Sequence, residues 1–107
     1  MVKVVWFSRL QPGSDSRAYE RWVEQVDYLG AAQIPSILSY QVFRVEGPCI
    51  GEQVEEFGYD YVEVAEVTSL AAYLDDLQNH PAAQAIVAEI GQYVRSVGNA
   101  WGEPVLA

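Results

Sequence analysis

The sequence predicts an α+β domain, a four-stranded antiparallel sheet carrying its helices on one face in the order β-α-β-β-α-β. Three observations predict it. Val2–Leu10, Leu38–Val45 and Tyr59–Val67 are short runs rich in β-branched and aromatic residues, and Tyr59-Asp60-Tyr61-Val62-Glu63-Val64 alternates with period two. Tyr19, Trp22, Val23, Val26 and Leu29 recur at three- and four-residue spacing, as on one face of a helix. After the polar stop at Thr68-Ser69, a second helical pattern is broken at Asn79-His80-Pro81.

The elements follow in order. Gln11-Pro12-Gly13 ends the first strand, and Ser14 or Asp15 offers an N-cap oxygen to the next helix, which Gly30 terminates. Ile34-Pro35-Ser36-Ile37 reads as a connector, because proline disfavours helix at the residue before it. Leu38–Val45 is the second strand. Glu46–Phe57, with Gly47, Pro48 and Gly51, is an exposed loop, and Tyr59–Val67 is the third strand. Thr68 caps a short helix, Leu70–Gln78, and Pro81 opens another reaching about Arg95. Val97–Val105 closes the chain as an irregular edge strand. This is the ferredoxin-like order. Alternation sets Val4 and Trp6 against Val5 and Phe7, and Tyr59 and Tyr61 against Val62 and Val64. Two helices cover one such face, so the other is expected to pair with a second copy in a homodimer.

The 107 residues make a single domain, 1–107, and half of them are hydrophobic, enough to build a core. A net charge of −9 with six scattered basic residues argues against nucleic acid and anionic membranes as partners. No apolar run approaches the roughly 20 residues of a membrane span, and Met1 leads directly into a strand. The expectation is a soluble, cytoplasmic protein. The single cysteine, Cys49, excludes an internal disulfide and reads as a bystander thiol. No His/Cys cluster, phosphate loop or dinucleotide fingerprint is present, so neither metal nor cofactor is expected.

Two stretches carry a resemblance. Gly58 through Val64, with Ser69-Leu70 and His80-Pro81-Ala82, is similar to the strand, short helix, HP-A, long helix run of the dimeric α/β-barrel superfamily. More narrowly, Tyr19-Glu20-Arg21-Trp22-Val23, Asp27-Tyr28 and Leu38–Val45 after Ile34-Pro35-Ser36 resemble the RedY-like (HapK-like) family of prodiginine and bisindole pigment pathways. The resemblance implies two chains forming a dimeric α/β barrel. It further implies a cofactor-free protein of secondary metabolism acting as a cyclase on an aromatic, indole- or pyrrole-type intermediate. Some barrel cyclases carry a second histidine after HP-A; here Ala83 stands there and the partner tyrosine's place falls near Asp76 or Leu77. Their His/Tyr pair does not carry over.

The candidate chemistry has a plain alternative at each position. His80, the only histidine, is either a proton shuttle or the cap of the helix that Pro81 opens. Glu63, mid-strand, becomes a proton shuttle if burial raises its pKa; otherwise it is an interior carboxyl bonded to a neighbour such as Gln41. Asp27 and Tyr28, where the first helix meets the connector, either orient a heteroaromatic NH or enol, or are a solvated aspartate and a core tyrosine. Trp22, Tyr19, Tyr40 and Tyr73, with Tyr61 on the strand beneath, form an aromatic slot for a planar substrate or an ordinary core. The function classes left open are a metal-independent cyclase, a non-catalytic carrier of the intermediate, and a cofactor-independent monooxygenase.

Overall fold

A computed structural model describes residues 1–51 and 58–106. Strands β1 (Val2–Leu10), β2 (Ile37–Arg44), β3 (Tyr61–Val67) and β4 (Val94–Gly102) form one sheet in the order β2-β3-β1-β4, every neighbouring pair antiparallel. Helix α1 (Ser16–Trp22) continues through a π turn (Val23–Asp27) into α2 (Tyr28–Ala31), and α3 (Leu70–Asn79) and α4 (Pro81–Ile90) complete the helical layer. The expected ferredoxin-like order is the observed one. Among the described residues, no helix is long and apolar enough to cross a membrane.

The period-two pattern assigns the faces. Val2, Val4, Trp6 and Ser8 of β1 stand opposite Val67, Ala65, Glu63 and Tyr61 of β3. These face the helices, in two packed groups. Val2, Val4, Ala65 and Val67 bury against Tyr73 of α3, while Tyr61 and Val94 bury against Tyr19, Trp22 and Val23. Between the groups lies the row of Trp6 and Glu63; Trp6 packs against the edge of the first group, and beside this row the layer is left unfilled. On the far side Val5 pairs Val64 and Phe7 pairs Val62, with Phe43 46% exposed at the β2 end.

Several boundaries differ from expectation, each for a physical reason. The helical turn is wider at Val23–Asp27, so residues four apart, which drift sideways on a helix of about 3.6 residues per turn, stay aligned there. Tyr19, Val23, Asp27 and Ala31 are therefore all buried, whereas Leu29, assigned to the inward stripe, is 61% exposed. Gly30 does not end the helix; it lets α2 approach α4, where a Cβ would stand 2.8 Å from Ile86 Cδ1. Asp15 is the N-cap of α1, accepting from the Arg17 amide at 3.1 Å. Ser69, not Thr68, caps α3, its hydroxyl accepting from the Ala72 amide at 3.0 Å.

Helix α4 stops at Ile90 rather than near Arg95, because Gly91 weakens it and the chain turns back at once. Strand β4 accordingly begins at Val94, opposite Leu10. Tyr59 lies outside β3, which starts at Tyr61. Its ring sits 4.7 Å from Phe7, away from the Tyr61 and Glu63 face. Glu46–Gly51 is exposed as expected, including Cys49, and residues 52–57 of that loop lie outside the described residues.

Candidate functional site

The unfilled middle of the layer is a cavity of about 200 Å³ between sheet and helices. Glu63, Trp6 and Ser8 form its floor, Asp27 enters from the π turn, and Tyr73 and Ile86 close it from α3 and α4. Its mouth lies beside Val87, which lines it and is 60% exposed. At ~30 Å³ per water it holds about seven waters, or a ligand of one or two rings. No Lys, Arg or His is among the lining residues.

Two carboxyls are the polar centre of this apolar space. Asp27 is 1% exposed and Glu63 8%. Burial pushes the Asp27 carboxyl up to about 6, against the stabilising Tyr40 hydroxyl, which donates to Asp27 Oδ2 at 2.6 Å. Burial and, second, the Asp27 charge push Glu63 further, to about 8, with the nearby Tyr40 hydroxyl as a smaller opposing cause. Burial thus raises both carboxyls, Glu63 the more, which leaves Asp27 the stronger acid of the pair. Environments that drive two titratable groups apart separate an acid from a base.

Of the nine residues singled out from the sequence, the cavity gathers Asp27, Glu63, Tyr40 and Tyr73. Gln41 is not Glu63's partner: it pairs with Val64 in register and so belongs to the other face. The aromatic slot divides in two, because Tyr40 and Tyr73 line the cavity while Tyr19, Trp22 and Tyr61 pack in the neighbouring core. There the Trp22 indole donates to Glu89 Oε2 at 2.7 Å. Tyr61 donates to Glu20 Oε2 at 2.6 Å, and Arg44 clamps that carboxylate. Tyr19 is fully buried, with no partner for its hydroxyl among the described residues. Tyr28 lies outside the cavity lining, and its hydroxyl donates to the Val42 carbonyl at 3.0 Å and accepts from the Val42 amide at 3.1 Å.

His80 also lies outside the lining. It is the N-cap of α4, its Nδ1 accepting from the Ala82 amide at 3.1 Å while its own amide donates to Asp76. His80→Ala should therefore cost about 1 kcal/mol of stability and leave activity intact, with His80→Asn recovering most of the loss. Thermal melts beside turnover check this; a fall in rate with an unchanged melt would return His80 to the chemistry.

The sequence reading missed Trp6, which lines the cavity and donates through its indole N–H to the Tyr73 hydroxyl at 2.9 Å. Its place was legible, since it shares the inward face with Val4, but a strand tryptophan ordinarily signals core. Among the described residues, no group of three or more His, Cys, Asp or Glu could hold a metal ion.

A family model described as REDY-like protein HapK matches residues 2–105. None of the curated proteins compared is similar. Among solved structures, HapK from Hahella chejuensis is 26% identical over 100% of this chain and 95% of its own, with a TM-score of 0.79. SnoaB from Streptomyces nogalater, a cofactor-independent oxygenase, is 13% identical over 99% and 94%, with a TM-score of 0.73. A dimeric ferredoxin-like protein from Thermobifida fusca is 19% identical over 98% and 90%, with a TM-score of 0.66. The last two likenesses concern the fold alone.

Proposed function

The chain belongs to the REDY-like HapK family, and from that premise we propose that it is a cofactor-free acid–base enzyme of secondary metabolism. Its reaction is ring closure of a small aromatic intermediate of indole or pyrrole type. One observation carries the reading: Asp27 and Glu63 are both buried in the lining of one mostly apolar cavity, Asp27 held by the Tyr40 hydroxyl at 2.6 Å, and burial lifts their carboxyls to about 6 and about 8. Asp27, ionised, takes a proton from a ring N–H or an acidic carbon. Glu63, protonated, gives one to the atom that becomes electron-rich. The cavity holds the flexible precursor in a reactive pose and keeps water from competing.

Each turnover leaves the proton on Asp27 and Glu63 bare. Tyr40 offers the way back: it accepts from Asp27 and passes its own proton to Glu63. The proton inventory is unchanged over a cycle, as an isomerising ring closure requires. No metal or cofactor is called on.

The outer sheet face, with Val5, Phe7, Val64 and the half-exposed Phe43, is the surface we assign to a second copy in a two-fold dimer. Several hundred Å² of apolar burial at about 25 cal/mol per Å² gives it a substantial driving force.

The test is purified protein incubated with indole- and pyrrole-type precursors in D₂O, followed by mass spectrometry and oxygen uptake. A ring isomer formed catalytically, with deuterium at the exchanged position, is the expected result. Saturable binding without a product would make the protein a carrier, and stoichiometric oxygen consumption would make it a monooxygenase. Either outcome overturns the cyclase reading.

A further inference from the structure

The hydrogen-bond inventory of the cavity leaves one donor unspent. The Tyr73 hydroxyl accepts from the Trp6 indole at 2.9 Å, which occupies a lone pair but not its proton. No described residue accepts that proton, and Tyr73 is only 4% exposed, so its O–H is met only from the cavity it lines. A buried hydroxyl that stays unpaired is costly, and a ligand oxygen placed there removes the cost. We infer that the cavity takes an uncharged carbonyl compound of one or two rings, its oxygen docked on the Tyr73 hydroxyl. The inference deepens the acid–base reading of the same site and rests on the same cavity.

The charges select within that size class. With no Lys, Arg or His in the lining and an aspartate already inside, a ligand carboxylate would be buried without a counter-ion beside a like charge. A neutral carbonyl meets no such penalty. Its position is also the productive one. When Asp27 draws a proton from the atom next to the carbonyl, the negative charge moves onto the oxygen, where Tyr73 donates to it. Trp6, bonded to the phenol oxygen, acts as a positioning residue for that donor. A ring lacking an acceptor fills the same apolar walls but leaves Tyr73 unpaired.

The test compares three probes of nearly equal shape, indole-3-carbaldehyde, indole and indole-3-carboxylate, by calorimetric titration against wild type and Tyr73→Phe. The aldehyde should bind about tenfold tighter than the carboxylate at pH 7, and Tyr73→Phe should weaken the aldehyde about tenfold while leaving indole unchanged. Indole binding to the variant also reports that its cavity is intact. The bound aldehyde's C=O stretch should move to lower wavenumber in wild type, a readout that needs no variant to fold. An unshifted stretch, a carboxylate that binds as tightly as the aldehyde, or no aldehyde binding at millimolar concentration each overturns the inference. Binding through Tyr73 without any turnover leaves this site standing and removes only the acid–base reading.

Discussion

Glu63→Gln should abolish most of the turnover while making the protein more stable. The amide keeps the shape and the hydrogen bonding but has no proton to give, so the rate should fall by about 10²–10⁴-fold. The pH profile identifies the cause. In wild type the productive form has Asp27 ionised, above about 6, and Glu63 protonated, below about 8, which gives a bell between those values. Both limbs are properties of the coupled pair. In Glu63→Gln the residual activity should lose the alkaline limb. Stability moves the other way. The Glu63 carboxyl titrates near 4.5 when free and at about 8 when folded, so folding favours its protonated form. That contribution is complete below pH 4.5 and drains away as pH rises through 8. Glu63→Gln should thus be more stable than wild type by a few kcal/mol at pH 8, the difference vanishing near pH 4. Denaturant titrations at the two pH values measure it. A variant that turns over normally, or is equally stable at both, removes Glu63 from the chemistry.

Val64→Glu should split the dimer. Val64 stands on the central strand β3, paired with Val5 on β1, on the face turned away from the helices. A two-fold pairing of this face brings the two new carboxylates toward one another in an apolar contact. An unpaired buried charge costs about 3–5 kcal/mol, at least a hundredfold to a thousandfold in the dissociation constant. Sedimentation at micromolar concentration should show wild type at twice the protomer mass and Val64→Glu at the protomer mass with unchanged far-ultraviolet dichroism. Wild type sedimenting as a protomer would end the proposal, and the apolar sheet face would need another occupant.

The strands and their faces were readable because alternation is a local property: Val4 and Trp6, Tyr61 and Glu63 point inward as period two requires. Glu63 stood out for the same reason, a carboxyl at an inward position of a central strand. Tyr59 misled because the paired register runs only as far as Tyr61, with Asp60 still bonding Ser8 and Val45 through its backbone, and alternation does not say where a ladder stops. Asp27 was noticed beside Tyr28, but its burial depends on the π turn, a change of pitch that residue spacing does not announce. Tyr28 was noticed for its phenol and turned out to spend that phenol on β2. His80 drew attention as the only imidazole, yet one backbone amide two residues on accounts for its position. Trp6 was overlooked because the cavity arises only when β1, the π turn, α3 and α4 are assembled. No stretch of the chain contains it.

The Tyr28 hydroxyl holds both the amide and the carbonyl of Val42, two groups that the outermost strand β2 turns away from β3. A border strand with such groups bare invites a stranger to extend the sheet sideways, the route toward fibrils. One phenol stitches that hem shut at its middle. Where that phenol sits, a further strand finds no bare amide or carbonyl to grip.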